Sequence, residues 1–414
     1  MFDLDKWSEI FRTLLRNKSR SLLTAFGIFW GVFMLVLLMG GANGFKDLMN
    51  RNFDGFAQNS YIAFPNNTSK PYKGFRTNRP WSLETTDVAR VKSRIRGADV
   101  VTPLVLYWGT YKYKDKEAYG MLKGVRPEYA QIENPKISSG RFLQDADLSA
   151  YRKVCVIGHE VKDKLFPDGS DPIGKFISLR GVYYQVVGVS SNESNMSVGG
   201  SSGRSVLVPF STLQRLENLG REIDMLALTA QPGYTISDIQ PQVERLLKEI
   251  HAVAPDDKKA LTSVNVETLF QMVQSLFNAI NTLVWLIGIG TLVSGIIGVS
   301  NIMMVVVKER TTEIGIRRAI GARPANILSQ ILAESAVLTV AAGLSGIVLA
   351  VLILAGVEAG ITAAMPDSTP PDFQISFGMA IGAAGILSIL GTTAGIAPAL
   401  RALAVKPIDA IRDE

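Results

Sequence analysis

Cysteine and histidine are scarce in this chain of 414 residues. It contains one cysteine, Cys155, and two histidines, His159 and His251. A single cysteine excludes an internal disulfide framework, and the apolar, strand-like run around Cys155 predicts a buried thiol. The histidines are distant in sequence, and no cysteine or carboxylate cluster accompanies them at ligand spacing. This pattern argues against a zinc site, and we expect neither a metal nor a cofactor in the chain.

Signatures of catalysis are missing as well. Residues 169–175 match most of the phosphate-loop pattern G-x-x-x-x-G-K-[ST], but Phe176 stands where the magnesium-binding hydroxyl is required. No nucleophile-elbow pattern supports a hydrolase. We therefore expect no catalytic residues. If ATP drives this protein, a separate subunit must hydrolyse it.

Long apolar runs, in contrast, are present and unevenly placed. Hydrophobic residues make up 47% of the chain. Four runs reach about the 20 residues that a membrane-spanning helix needs: Leu22–Ala42, Leu283–Val307, Ser335–Val357 and Phe377–Ala397. A long stretch of ordinary globular composition separates the first two runs. The pattern predicts a membrane protein with four transmembrane α-helices and a large domain inserted between spans one and two.

The net charge of +6 is concentrated at the ends of these runs. Lysine and arginine cluster before the first run, between residues 308 and 323, and after the fourth run, whereas residues 358–374 have neither. The positive-inside rule therefore places both termini and the 308–323 segment in the cytoplasm, and the large domain outside. The distribution indicates contact with membrane lipid and no nucleic-acid partner.

Charge is also missing from the centres of the apolar runs, which argues against a proton or ion path. Glu334 lies close to the cytoplasmic end of the third run. There its side chain either snorkels to the interface or pairs with an arginine of the 308–323 segment.

The inserted domain, residues 59–262, mixes strand-like and helix-like runs, which predicts an extracytoplasmic α+β fold. The expected strands are Tyr61–Phe64, Asp99–Tyr107, Thr110–Lys114, Ala118–Val125, Val154–Ile157, Tyr183–Val189, Ser205–Val208 and Met225–Thr229. The expected helices are Leu83–Ile95, Glu160–Phe166 and Ile236–His251. The stretch Ser190–Arg204 is rich in Ser, Gly and Asn and predicts a mobile loop.

Helical spacing extends past two of the spans. Apolar residues continue through Phe53 after span one and begin again at Val266 before span two, which predicts a stalk of two helices outside the bilayer. Asp3–Arg16 predicts an amphipathic helix in the membrane interface. The expected segments are an interface helix at 1–20, span one with its stalk extension at 21–58, the domain at 59–262, a stalk extension with span two at 263–307, a charged cytoplasmic segment at 308–326, span three at 327–357, an outer loop at 358–374, span four at 375–400 and a cytoplasmic tail at 401–414.

The charged segment after span two is ordered rather than random. It reads Glu309-Arg310-Thr311-Thr312-Glu313-Ile314-Gly315-Ile316-Arg317-Arg318-Ala319-Ile320-Gly321-Ala322. Isoleucines interleaved with charges predict a short docking helix, and glycines allow the backbone to turn; an ordinary positive-inside loop is the alternative. This segment resembles the cytoplasmic coupling segment of permeases related to MacB and FtsX, the membrane subunits of type VII ABC systems. Further matches extend the resemblance over nearly the whole chain, at Leu14–Ile28, Gly140–Phe142, Asp171–Lys175 and Ala397–Arg412.

The resemblance implies a permease of the bacterial inner membrane that forms a homodimer and binds a cytoplasmic ABC ATPase subunit. That subunit would hold ATP and magnesium. Motion would pass through the stalk and extrude a substrate, with a periplasmic adaptor and an outer-membrane channel as further partners. Two alternatives remain open: an FtsX-like transducer that regulates a periplasmic partner, and a lipoprotein-release permease. The coupling residues implied are Glu309, Arg310, Glu313, Ile314, Gly315, Arg317, Arg318, Gly321 and Ala322.

Small residues form a stripe on each of the first two spans. Gly27 and Gly31 are four residues apart in span one, and Gly290, Ser294 and Gly298 share a stripe in span two. Helices in lipid pack closely across small side chains. Each stripe therefore predicts either packing within one chain or a homodimer contact, and we expect at least one stripe at the dimer contact.

Overall fold

The structure, a computed structural model, describes residues 18–52, 55–191, 197–364, 372–374 and 377–403. The expected interface helix Asp3–Arg16 lies outside the described residues, as does most of the expected 401–414 tail. The chain divides into two compact units. One comprises Met49–Ser275 and is called the β-domain below; the other comprises Met1–Leu48 with Leu276–Glu414 and is called the helical unit.

The β-domain is built on a ten-stranded sheet. The order is β12-β1-β11-β3-β4-β9-β6-β8-β5, with β7 paired to β3 and β8, and β4–β9 and β6–β8 are its parallel pairs. A second, two-stranded sheet joins β2 to β10. The strands are β1 (Ser60–Pro65), β2 (Leu83–Glu84), β3 (Ala98–Tyr113), β4 (Lys116–Val125), β5 (Ile137–Gly140), β6 (Val154–Gly158), β7 (Phe176–Leu179), β8 (Val182–Ser190), β9 (Ser205–Pro209), β10 (Glu222–Ile223), β11 (Met225–Ala230) and β12 (Leu261–Asn265).

Strand β3 corrects one prediction. The two strands expected at Asp99–Tyr107 and Thr110–Lys114 form a single strand of 16 residues. Its first half pairs with β11 and its second half with β4. The interruption expected near Gly109 does not occur, because Gly109 continues the ladder opposite Gly120. Strand β3 therefore connects the two halves of the sheet.

Short helices flank the sheet, and their ends follow from local capping. The helix expected from Leu83 begins two residues later, because Glu84 and Asp87 form a capping box at its start. The helix expected at Ile236–His251 is present as Ile236–Ile250 and buries one face that includes Ile239, Val243 and Leu247. The helices are α2 (Thr85–Arg94), α3 (Asp145–Ser149), α4 (His159–Leu165), α5 (Phe210–Leu216) and α6 (Ile236–Ile250).

The apolar interior of the β-domain forms two clusters. Cys155 lies fully buried in the larger one, as predicted, and burial raises the pKa of its thiol. The stretch Ser190–Arg204 was expected to be a mobile loop, and the structure differs from that expectation at the described ends of the stretch. Val198 is buried, and Ser202–Arg204 form a 3-10 turn that leads into β9.

The helical unit contains long apolar helices. They are α1 (Lys18–Asn52), α7 (Val266–Glu309), whose first residues belong to the β-domain, and α9 (Pro324–Ala364), with the shorter α8 (Thr311–Ala319) and α10 (Phe377–Leu403). Among the described residues, α1, α7 and α9 are long and apolar enough to cross a membrane. The fourth expected span falls on α10, which contains a shorter apolar stretch, Ile389–Leu403. A fourth span therefore stays a prediction.

Helix α7 is longer than a bilayer requires. Its 44 residues extend about 66 Å, against a hydrocarbon core of about 30 Å. In the N-terminal part of α7, Phe277 packs against Phe45 of α1, with ring centroids 5.8 Å apart. This arrangement is compatible with the expected stalk, which stays a prediction.

Candidate coupling site

The charged segment folds as a short helix, α8, set off from the helices on either side. Helix α7 ends at Glu309, and Arg310 takes a non-helical ψ of 14° before α8 starts at Thr311. The Thr311 hydroxyl donates to the carbonyl of Lys308 at 2.7 Å and so caps the end of α7. The break between the two helices is therefore made by the chain's own hydrogen bonds.

The end of α8 explains two of the predicted residues. Gly321 has a φ of +97°, a left-handed conformation that favours glycine. Its amide donates to the carbonyl of Arg318, and the amide of Ala322 donates to that of Arg317. These two bonds form a Schellman motif, which satisfies the last carbonyls of the helix. Gly321 and Ala322 thus end the helix and turn the chain towards Pro324.

The inner face of α8 is apolar. Ile314 is 8% exposed, and Gly315 beside it is buried. Ile314 belongs to the same apolar cluster as Val307 of α7 and Ile327 and Ile331 of α9. Helix α8 is therefore packed on the ends of its two neighbours.

Polar contacts fix α8 further. Arg310 lies 3.3 Å from the carboxylate of Glu334, which is 3% exposed. Arg317 donates to Glu313 at 2.9 Å and to Gln330 at 3.1 Å. Arg318 donates to the backbone carbonyl of Leu403 at 2.8 Å. These three arginines therefore hold the segment to α9 and α10.

The outer face of α8 carries a charge and two isoleucines. Glu313 is exposed, Ile316 is 44% exposed and Ile320 is 82% exposed. Ile316 and Ile320 are four residues apart and so lie on one side of the helix. We call Glu313, Ile316 and Ile320 the outer face of α8. The cavity between α8 and α9 has a volume of about 30 Å³, room for about one water molecule, so this arrangement is suited to docking rather than to ligand binding.

The predicted coupling residues thus separate into three groups. Glu309 and Glu313 are exposed, Ile314 and Gly315 are buried, and the remaining five hold or end the helix. Ile316 and Ile320 were not among the predicted residues. Their spacing of four residues places them on one helix face, but the sequence does not show whether that face is exposed. Of the two alternatives predicted for Glu334, snorkelling or pairing with an arginine of this segment, the structure has the pairing with Arg310.

The two stripes of small residues have different surroundings. A Cβ added to Gly31 would lie 3.3 Å from the backbone of Thr291, and one added to Gly27 would lie 3.9 Å from Gly295. The stripe on α1 therefore faces α7 of the same chain. Ser294 is exposed, and a Cβ added to Gly290 or Gly298 would meet no atom within 4 Å. Within the described residues, the stripe on α7 is open.

The polar residues noted in the β-domain serve local structure. Gly169–Lys175 form the turns between α4 and β7, where the Lys175 ammonium lies 5.0 Å from the ring of Phe166. His251 lies 2.7 Å from the carboxylate of Asp87. Burial raises the pKa of Asp87, but the hydrogen bonds from His251 and the Glu84 amide outweigh it, and the net pKa is lowered. Among the described residues, no group of three or more potential ligands could hold a metal ion.

Comparison with known proteins relates both units to one family. Residues 21–246 match the MacB-like periplasmic core domain, and residues 285–407 match the FtsX-like permease C-terminal region. The chain is 30% identical over its whole length to the macrolide export ATP-binding/permease protein MacB of Neisseria gonorrhoeae. It is 28% identical over 99% of its length to the pyoverdine export ATP-binding/permease protein PvdT of Pseudomonas putida.

The chain spans 62% and 60% of the lengths of these two relatives. The crystal structure of the periplasmic region of MacB from Actinobacillus actinomycetemcomitans is also similar. It has 21% sequence identity and a TM-score of 0.43, and the match covers 55% of this chain and 98% of that one. Because the match to the core domain alone covers more than half of the residues, the chain belongs to the MacB/FtsX family of ABC transporter permeases.

Proposed function

We propose that this chain is the permease subunit of a bacterial ABC exporter whose ATP is hydrolysed by a separate ATPase subunit in the cytoplasm. The observation that carries the proposal is the outer face of α8. Two exposed isoleucines beside a carboxylate are held on a helix that the chain fixes from its other side. A clamped helix with exposed apolar side chains is suited to receive a partner, because little side-chain or backbone freedom is lost on docking.

The proposed mechanism is mechanical. Closure of the ATPases displaces α8, and the buried apolar cluster that Ile314 shares with Val307 passes that displacement to α7. Helix α7 is continuous from Glu309 to Val266, and Val266 is buried in the core of the β-domain. Helix α7 therefore continues from the docking site into the domain proposed to move the substrate.

The membrane arrangement follows from the charges. We place both termini and α8 in the cytoplasm, the β-domain in the periplasm, α10 as a fourth span, and lipid around the exposed apolar sides of the helices.

Two exposed positions allow a test of this orientation by labelling. Thr77 is exposed in the β-domain and Arg323 follows α8. In a Cys155→Ala background, an impermeant maleimide should label Thr77→Cys in intact spheroplasts and label Arg323→Cys only after permeabilisation. The reverse pattern would overturn the orientation.

The transported substrate is proposed to be a small molecule, because two relatives carry the names of macrolide and pyoverdine exporters. A periplasmic adaptor with an outer-membrane channel would complete the path. Affinity purification of the tagged full chain from native membranes tests this. Recovery of an adaptor supports export, whereas a cell-wall hydrolase or a lipoprotein carrier would instead support transduction or lipoprotein release.

The coupling role has its own test. The chain is purified with the ATPase subunit that it recovers, reconstituted in nanodiscs, and assayed for ATP hydrolysis with three substitutions. Ile320→Asp and Glu313→Lys should reduce the stimulated rate about tenfold, since a charge enters or reverses at the docking surface. Ile320→Val keeps an apolar side chain and should retain the rate. Equal rates for Ile320→Asp and Ile320→Val, or the absence of any separate ATPase from the purified complex, would contradict the proposal.

A further inference from the structure

A cavity of about 180 Å³ lies within the β-domain, against one face of strands β12, β1 and β11. Ile62 of β1 and Val264 of β12 are directly opposite each other in the ladder, and both line it. Its apolar walls are Phe56, Ile62, Val198, Met225, Val264 and Val266. The cavity is partly open. Four of its lining side chains, Phe56, Ile62, Val198 and Val266, belong to the smaller core cluster of the domain, and Met225 and Val264 pack against that cluster.

The size of the cavity indicates what fits in it. Protein interiors are close-packed and contain few voids larger than a water molecule. An apolar cavity of about 150 Å³ holds a benzene molecule, whereas pockets for drug-sized ligands measure about 300–1,000 Å³. A volume of about 180 Å³ thus matches one ring and is smaller than the pockets that bury drug-sized ligands.

The cavity wall includes one polar side chain, whose hydrogen-bonding groups already have partners within the protein. Ser197 lines the cavity, and its hydroxyl donates to Glu133 and accepts from the ammonium of Lys123, each at 2.5 Å. The side chains of Lys123 and Glu133 are 0% and 6% exposed and lie 3.0 Å apart. Because these groups bond one another, they offer nothing to a ligand, and the cavity favours an uncharged apolar molecule.

The position of the cavity connects it with the two chain segments that enter and leave the domain. Phe56 follows α1 in sequence, and its neighbours are tied to the segment that carries Glu133: Ala57 donates to the carbonyl of Ile132, and Asn134 donates to that of Gly55. Val266 is the first residue of α7. A molecule in the cavity contacts both segments at once.

We propose that this cavity binds a small uncharged molecule with a single apolar ring. Its binding fills the space between Phe56 and Val266 and stabilises the arrangement of both segments in the β-domain. The site is separate from the outer face of α8 and does not depend on the role proposed for that face.

The test uses thiol accessibility on the full chain in nanodiscs, in a Cys155→Ala background. Val264→Cys places a thiol in the cavity wall, and Thr77→Cys places one on an exposed surface of the same domain. The reagents are benzyl methanethiosulfonate and the charged sulfonatoethyl methanethiosulfonate, followed by intact mass. In each reaction the thiolate attacks the thiosulfonate sulfur, a disulfide forms and methanesulfinate leaves. The ratio of the benzyl to the charged reaction rate should be about tenfold higher for Val264→Cys than for Thr77→Cys, because the apolar lining of the cavity favours the apolar reagent.

Competition between a free apolar molecule and the benzyl reagent shows whether the cavity binds that molecule. Added p-xylene should slow the benzyl modification of Val264→Cys at least threefold and leave the rate for Thr77→Cys unchanged. The Thr77→Cys rate also serves as the control for partition of the reagents into lipid. Filling the cavity with Met225→Phe or, from another wall, with Val198→Leu should remove the benzyl preference. Both changes are modest in volume, so at least one should retain the circular dichroism of the parent. Equal rate ratios at the two thiols, or no protection by p-xylene, would overturn the proposal.

Discussion

The guanidinium of Arg310 lies 3.3 Å from the carboxylate of Glu334, at the point where α7 ends and α8 begins. Glu334 is 3% exposed, so its charge needs a partner. The pair joins the non-helical residue between α7 and α8 to a buried position on α9. It therefore fixes the angle at which the outer face of α8 is presented.

A double-mutant cycle tests this pair. Glu334→Gln and Arg310→Gln should each destabilise the chain, and the double substitution should cost less than the sum, with a coupling energy of about 1–3 kcal/mol. The measurement is the free energy of unfolding in mixed micelles, together with the stimulated ATPase rate.

The control for this cycle is the pair Glu313 and Arg317, whose side chains are 49% and 39% exposed. Exposed pairs at this helical spacing contribute about 0.3–0.5 kcal/mol. A coupling energy between Arg310 and Glu334 no larger than that of this control would show that the pair does not fix α8.

Local patterns predicted the elements of this protein better than their pairing. Strand-like runs predicted β4 and β6, and a helical stripe predicted α6, because the residues that define each are neighbours in sequence. Strands β5 and β12 were missed because they are short and largely polar. The pairing of Ile62 with Val264 joins distant parts of the chain, and no local pattern encodes it.

The candidate site shows the same division. The ordered motif predicted α8 and its glycine-containing end. Which isoleucines face outward depends on where α9 lies, so Ile320 could not be separated from Ile314 by sequence alone. The same holds for the small-residue stripes, since only the approach of Gly31 to Thr291 distinguishes a packed stripe from an open one.

The buried pair Lys123 and Glu133 should be essential to the fold of the β-domain. Lys123→Met leaves Glu133 buried without its cation, beside Tyr129, whose pKa is raised by burial and by that carboxylate. We expect a loss of about 3–5 kcal/mol in the free energy of unfolding by urea. Replacing Glu133 with Leu in the same chain should recover part of the loss.

An exposed pair in the same domain provides the comparison. Lys112 and Glu117 are 57% and 54% exposed, and Lys112→Met should change the free energy of unfolding by less than about 1 kcal/mol. If Lys123→Met changed the free energy of unfolding as little as Lys112→Met does, the buried charge of Glu133 would not need Lys123 to stabilise it.

Asp257 should make the stability of the β-domain depend on pH. Its side chain is fully buried and accepts hydrogen bonds from Ser69, Lys70, Lys259 and Ala260. Burial raises the pKa of Asp257, but the hydrogen bonds from Ser69 and the backbone amides outweigh it and lower the pKa to about 2. Because the folded pKa lies below the unfolded value of about 3.9, the stabilisation is present above about pH 4 and is lost as the pH falls towards 2.

Asp257→Asn should therefore cost about 2 kcal/mol at pH 6 and progressively less between pH 4 and pH 2, measured by urea unfolding with tryptophan fluorescence. The adjacent Asp256 pairs with Lys70 but is 72% exposed, so Asp256→Asn should leave the pH profile unchanged. A cost of Asp257→Asn that does not vary with pH would mean that the ionised carboxylate is not what stabilises this turn.

The two stripes of small residues should respond differently to a bulky side chain. A Cβ added to Gly31 would lie 3.3 Å from the backbone of Thr291, so Gly31→Leu should separate α1 from α7 and destabilise the single chain. Ser294 is exposed between Gly290 and Gly298, where an added Cβ meets nothing within 4 Å. If the chain forms the expected homodimer across α7, Ser294→Leu should leave the chain folded and shift it from dimer to monomer in light scattering. In a Cys155→Ala background, Ser294→Cys should crosslink between chains. A dimer that survives Ser294→Leu, together with no crosslink from Ser294→Cys, would exclude the open stripe as the contact between subunits.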